Sequence, residues 1–201
     1  MGIMKTTSKY AFLLALVALI CATLSSAIHF LTKDKVEEVI ARQQQELLLQ
    51  VIPQRYFDND LLSSCVRSDN PQFGKIYIAE QRDKISAYAF ETTAPDGYSG
   101  NIRLLVGITP AGEVLGVRVI EHHETPGLGD KIELRISHWI LSFNNKKISA
   151  DNLSDWAVKK DGGKFDQFSG ATITPRAIVN QVKRAALMIL EQPPKTEAGC
   201  E

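Results

Sequence analysis

The chain has 201 residues, 44% of them hydrophobic and 23% charged, and its 23 Lys+Arg balance 23 Asp+Glu. This composition fits one globular domain with additions and argues against long-range disorder. It also leaves no net basic field to draw in nucleic acid, and no RNA- or DNA-reading motif occurs.

Residues 10–31, YAFLLALVALICATLSSAIHFL, carry no acidic or basic charge, although His29 is ionisable. At helical rise such a run crosses a bilayer core of about 30 Å. Lys5 and Lys9 precede it, and Lys33, Asp34, Lys35, Glu37 and Glu38 follow it. The flanking charge is net positive before the run and net negative after it, and the expectation drawn from this is a cytoplasmic N-terminus and an exported main domain. A cleaved signal peptide is the alternative, with Ser25-Ser26-Ala27 as its cleavage site. The continuation of apolar residues to Leu31, with an amphipathic stretch directly after, favours a retained anchor over 1–31.

Residues 32–52 read as a stalk helix. Val36, Val39, Ile40, Gln43 and Leu47 fall on one face, and Pro53 stops it. A helix packed on the domain fits the same pattern. Next come short β-like runs at Lys75–Ala79 and Lys84–Phe90, separated by a polar Gln-Arg-Asp turn. Asn101–Thr109 alternates cleanly through Ile102, Leu104, Val106 and Ile108. After Pro110-Ala111-Gly112, Glu113–Ile120 completes a hairpin. His122 and His123 lie at a strand end on opposite faces, a poor arrangement for one shared metal.

A helix is predicted from the end of HHETPGLGDKIE to about Asn144. Its stripe is Ile132, Ile136, Trp139, Ile140 and Phe143, and Asp130 with Glu133 reads as its capping pair. Trp139 reads as a core residue. A last helix is predicted from Pro175 to about Glu191, with Thr174 at its N-cap and Ile178, Val182, Ala185, Ala186 and Ile189 buried. Pro193-Pro194 ends it, and a polar tail, 192–201, follows. No internal repeat is found. The fold class is α+β: a single transmembrane helix, then one domain (53–191) with a small antiparallel sheet and packed helices.

The three cysteines are Cys21, Cys65 and Cys200. No CxxC or His/Cys metal spacing occurs, so no metal site is predicted. Cys65 and Cys200 can pair in an oxidising compartment, but the sequence does not show that they meet.

Two loops stand out. DQFSGATIT, 166–174, reads locally as a turn at Gly170 feeding a helix cap. The same geometry suits a phosphate, because unpaired N–H groups and the helix dipole lie near Thr172, while Gly170 and Ala171 leave room for a bulky group. Asp166 is placed to help a modifying enzyme position a metal or activate the hydroxyl. The second loop is Glu124-Thr125-Pro126-Gly127-Leu128-Gly129. Its glycines permit close approach to the backbone, and Leu128 offers an apolar lid. Alone, a Pro/Gly turn before a helix is a weak signal.

Three segments in fixed order carry a resemblance. Gly97-Tyr98-Ser99-Gly100 is followed by an alternating strand, then by ETPGLG, then by Asp166-Gln167-Phe168-Ser169-Gly170-Ala171-Thr172, which fits D-x-x-[ST]-G-A-T. Together they resemble the covalent FMN-binding domain family, and within it the G subunits of Rnf-type electron-transport complexes. The resemblance covers nearly the whole chain. It implies an FMN held by a phosphodiester bond to Thr172, with Asp166, Ser169, Gly170 and Ala171 in the attachment loop. Glu124, Thr125, Pro126, Gly127 and Leu128 form the second cofactor-binding loop. Tyr98 is either a ring contact or an ordinary core or turn aromatic.

The resemblance further implies a flavin transferase that uses FAD and Mg²⁺, partner subunits, and a bacterial inner-membrane location with a periplasmic domain. Electron flow between ferredoxin and NAD would be coupled to ion movement, and enteric relatives are linked to keeping the redox sensor SoxR reduced. No acid–base triad, GxGxxG or iron–sulfur cysteine framework occurs, so the chain reads as a redox carrier rather than a complete catalyst, with no catalytic residue of its own. Two alternatives remain open. One is the C subunit of the sodium-translocating NADH:quinone reductase, which shares both loops and is expected to be longer. The other is a cofactor-free, membrane-anchored assembly protein.

Overall fold

The computed structural model describes residues 2–68, 70–194 and 199–200, with side chains from residue 8 onward. Half of the polar tail, 195–198 and 201, therefore lies outside the described residues. Helix α1 runs from Gly2 to Val51. Residues up to Gln43 form one compact unit and residues from Gln44 onward another.

In the first unit the helix is apolar on every side through Leu31, and its large side chains are exposed, from Tyr10 at 66% to Leu31 at 78%. A helix of this composition needs an apolar surrounding. It is long and apolar enough to cross a membrane, with an 18-residue stretch of mean hydropathy 2.5. Beyond that stretch, Lys33–Glu37 at 3.7 Å and Lys35–Glu38 at 2.8 Å form ion pairs along the helix. Val36, Val39 and Ile40 are exposed, so the apolar face read there from spacing is not a packed one.

The second unit is built on a six-stranded antiparallel sheet in the order β1-β2-β3-β4-β5-β6. The strands are β1 Cys65–Arg67, β2 Phe73–Gln81, β3 Lys84–Gly97, β4 Gly100–Ile108, β5 Glu113–Glu121 and β6 Lys146–Lys147. The β2–β3 turn places Arg82 and Asp83 at φ 53 and 59, the left-handed pair that a tight hairpin requires. Alternation sorts β4 as expected. Ile102, Leu104, Val106 and Ile108 face one core, and Leu105 faces another.

The larger core lies under helix α2, Ile173–Glu191, whose Ile178, Val182, Ala185 and Ala186 are fully buried. Aromatic side chains fill its lower end. Phe143 and Phe165 have centroids 4.6 Å apart, and Trp156 lies 5.3 Å from Phe165. Each such burial contributes about 1.5–3 kcal/mol. The smaller core packs the last turn of α1, through Leu48 and Val51, and Ile52 just after it onto the opposite face. Gly107 and Gly116, partners across β4 and β5, permit that contact. A Cβ on Gly107 would stand 2.2 Å from the Val51 carbonyl oxygen.

The helix expected up to Asn144 is absent. The segment instead holds two 3-10 turns, Asp130–Ile132 and Trp139–Phe143. The Ser137 hydroxyl donates to the Lys131 carbonyl at 2.5 Å and accepts the Trp139 N–H at 3.2 Å, and this local bonding competes with an α-helical ladder. Ile132, Ile140 and Phe143 are buried, but Ile136 is 43% exposed. Asp130 and Glu133 are not a capping pair either. Gly129 occupies the cap position with no side-chain bond, and Glu133 follows the turn. Cys65 and Cys200 do meet, forming a disulfide with Cα atoms 5.4 Å apart.

Candidate functional site

Three segments far apart in sequence converge on one buried carboxylate. Glu124 is 5% exposed. Its Oε1 accepts the Ser99 N–H at 3.0 Å, from the β3–β4 hairpin, and its Oε2 accepts the Thr174 hydroxyl at 2.6 Å, from the first turn of α2. Charge-assisted bonds of this kind offset part of the cost of burying a carboxylate. The backbone N–H of Glu124 donates to His122 Nδ1 at 3.0 Å, so the ring proton sits on Nε2 and is shared with Glu133 Oε1 at 2.7 Å. Glu133 also pairs with Arg135. The Arg135 hydrogen bond, opposed by burial and helped by His122, holds the Glu133 carboxyl down at about 2.

Two tight turns flank this carboxylate. In the first, the Leu128 and Gly129 N–H groups both donate to the Thr125 carbonyl at 3.1 Å, with Gly127 at φ 79 after Pro126. In the second, the Ala171 N–H donates to the Phe168 carbonyl at 3.1 Å, with Gly170 at φ 80. A positive φ after the first central residue is the signature of a type II turn, which favours glycine there. The turns approach each other: Leu128 Cδ2 lies 3.9 Å from where a Gly170 Cβ would stand.

Between them is a cavity of about 250 Å³ lined by Glu124, Thr125, Leu128, Gly170, Ala171 and Thr172. Tyr98, Gly129, Ile173 and Thr174 complete its wall. Tyr98 at 68%, Leu128 at 44% and Ile173 at 46% exposure form an open apolar rim, so Tyr98 is not a core aromatic. Pro126, Gly127 and Ser169 shape the turns without lining the cavity. Asp166 points elsewhere: it is exposed and its Oδ1 pairs with Lys159 Nζ at 2.5 Å. Its carbonyl accepts the Trp139 indole N–H at 2.7 Å, which ties the loop to the core. Spacing gave no sign that Ile173, Gly129 and Thr174 share the wall.

The cap assignment changes. Helix α2 begins at Ile173, and Thr172 occupies the N-cap position with no side-chain capping bond. Thr174 is buried inside the first turn with its hydroxyl committed to Glu124. Pro175 is then the third helical residue, where a missing N–H is still harmless. Half-buried Thr172 therefore lines the cavity at the start of a helix, where backbone N–H groups lack intrahelical partners. These donors suit an anionic phosphate, and the apolar rim suits a flat ring. At the helix start, Arg176 forks onto Asp161 at 2.5 and 2.8 Å and holds that carboxyl below its usual range.

The FMN-binding domain family matches residues 97–187, which hold the whole cavity, and the RnfG N-terminal region family matches residues 1–51. The G subunit of the ion-translocating oxidoreductase complex of Haemophilus influenzae (strain PittEE) is 68% identical over 193 residues, covering 94% of this chain and 93% of its own. The chain belongs to the family of G subunits of ion-translocating oxidoreductase complexes. The Escherichia coli (strain K12) member is 55% identical over 188 residues, 92% of this chain and 91% of that one. Among solved structures, the crystal structure of Shewanella oneidensis NqrC gives a TM-score of 0.46 at 20% identity, over 71% of this chain and 72% of that one.

Proposed function

We propose that this chain is the electron-carrying G subunit of a membrane-bound, ion-translocating Rnf-type complex, and that it works through an FMN joined by a phosphodiester bond to Thr172. One observation carries the attachment point. Of the two threonines at the start of α2, Thr174 is buried and bonded to Glu124, whereas Thr172 lines the cavity and its hydroxyl has no hydrogen-bond partner among the described residues.

Maturation would join Thr172 Oγ1 to the FMN phosphate of FAD on a separate, Mg²⁺-dependent flavin transferase, with AMP as the leaving group and the hydroxyl proton passing to that enzyme. The Ile173 and Thr174 N–H groups would then hold the phosphate. Gly170 and Ala171 leave the backbone accessible. Tyr98, Leu128 and Ile173 would offer apolar surface to the ring, and Glu124 fixes the three segments. The flavin supplies the redox chemistry, and the protein supplies binding and orientation. On this reading the chain is a carrier inside a translocase rather than a complete catalyst.

The same proposal divides the chain into a cytoplasmic N-terminus and inner-membrane anchor (1–31), a stalk helix (32–52), the flavin domain (53–191) and a tail (192–201). The domain faces the periplasm. The Cys65–Cys200 bond supports that side, since disulfides persist in oxidising compartments. Partners are the other subunits of the complex, and in enteric bacteria the role extends to keeping SoxR reduced.

The test is co-expression with a flavin transferase, denaturation, and a gel viewed under ultraviolet light. The band is expected to fluoresce, and one FMN mass to map to the peptide holding Thr172. Thr172→Ala removes both signals and Thr174→Ala keeps them. Unlabelled protein beside an active transferase, or loss of label with Thr174→Ala alone, would overturn the reading.

A further inference from the structure

A second cavity, separate from the Thr172 site, is larger, about 720 Å³, and lies between the last turns of α1, strand β5 and the segment after the first 3-10 turn. Its walls include apolar Leu47, Val119, Ile120 and Leu134. Arg118 also lines it, although only 7% of that residue is exposed.

This guanidinium has no carboxylate partner among the described residues. Its Nε donates to Gln50 Oε1 at 2.9 Å and its Nη1 to the Val117 carbonyl at 2.7 Å, both neutral acceptors, and Nη2 has no partner there. The carboxylates at the cavity are already engaged, Glu121 with Arg103 at 3.0 Å and Glu133 with His122 and Arg135. Buried cations are ordinarily paired, because removing a charge from water without a counter-charge is costly. Burial alone pushes the Arg118 guanidinium down from its usual range. An anion in the cavity would reverse that cost, and Arg118 has a free donor to meet it.

The cavity also says what kind of anion. Inorganic phosphate would leave most of 720 Å³ and the four apolar side chains uncovered. The geometry points to an amphiphile with a phosphate head on Arg118 and an apolar body against Leu47, Val119, Ile120 and Leu134, of which a phospholipid is the source. The inference does not depend on the flavin proposal.

The test is native mass spectrometry of the full chain, delipidated in detergent and titrated with phosphatidylglycerol, with diacylglycerol and inorganic phosphate as comparators. One phosphatidylglycerol is expected to survive collisional activation on the wild type. Arg118→Gln should weaken it about tenfold or more, the scale of a lost charged hydrogen bond, while circular dichroism stays unchanged. Leu47→Glu, which supplies an internal carboxylate and keeps the arginine, should displace the lipid as well, and it serves if Arg118→Gln does not fold. Equal retention by Leu47→Glu or by a folded Arg118→Gln overturns the site. So does equal binding of diacylglycerol, or equal thermal protection by inorganic phosphate alone.

Discussion

Thr174 shows how much one hydroxyl carries. It is fully buried, and its hydrogen bond at 2.6 Å is one of two that the Glu124 carboxylate receives from partners 50 and 25 residues away. Thr174→Val keeps the shape and deletes the donor. It is expected to cost about 1–3 kcal/mol, the penalty for leaving a buried acceptor unsatisfied, in the denaturation midpoint of the full chain in detergent, with Thr174→Ser restoring most of it. Those separations also explain why the sequence showed Glu124 only as a loop residue: no local spacing links it to Ser99 or Thr174. The DxxSGAT pattern was legible, but the division of labour between Thr172 and Thr174 depends on that distant carboxylate. Glu133 gives a pH signature. Its carboxyl is lowered from 4.5 to about 2, chiefly by the Arg135 hydrogen bond. A lowered acid stabilises the fold above its unfolded value, and the contribution is lost as pH falls through the folded one. The stability difference between wild type and Glu133→Gln is therefore expected to be full at pH 6 and to shrink between pH 4.5 and 2. A difference that stays constant across that window would remove the ion pair from the account.

At the scale of elements, the strands were the most legible, because alternation on a sheet with two distinct faces sorts side chains every second residue. The run from Ile132 to Phe143 deceived because residues spaced by three or four serve a 3-10 turn as well as an α-helix, and the Ser137 bonds compete with the α-helical ladder there. The ETPGLG loop behaves as an element in its own right, and its two glycines are not equivalent. Gly127 has φ 79 and open space where a Cβ would stand, whereas a Cβ on Gly129 would lie 2.7 Å from Glu124 Oε2. Gly127→Ala should cost about 1–2 kcal/mol, the ordinary strain of a left-handed residue. Gly129→Ala should cost about 1–3 kcal/mol through overpacking and should also displace Glu124 from Thr174. Measured in the Thr174→Val background, the Gly129→Ala penalty is expected to shrink and the Gly127→Ala penalty to stay, since only coupled sites depart from additivity.

For the whole molecule, the division into an apolar helix and an α+β unit was visible in composition, whereas the closure of the second unit was not. Residues 199–200 return to the edge of the sheet, where Gly199 bridges Val66 and Cys200 bonds Cys65 across 135 residues. A sequence cannot show which cysteines meet, and here the partner lies almost at the chain's end. The contact covers part of an edge strand that would otherwise offer unpaired backbone groups. The bond also restricts a very long loop of the unfolded chain. Cys65→Ser/Cys200→Ser is therefore expected to lower stability by about 2–4 kcal/mol, read from the thermal midpoint of the full chain in detergent. Thiol counting reads location from the same bond. Cys21 is the one free cysteine among the described residues. Protein denatured in detergent without reductant should take one alkylating group, at Cys21, and two more after reduction. Deleting residues 10–31 removes Cys21 and, on the proposed topology, leaves the domain in the reducing cytoplasm. That protein should take two groups without any reductant. Full-length protein that takes three groups without reductant would show that the bond does not form in the cell, and would withdraw its support for a periplasmic domain.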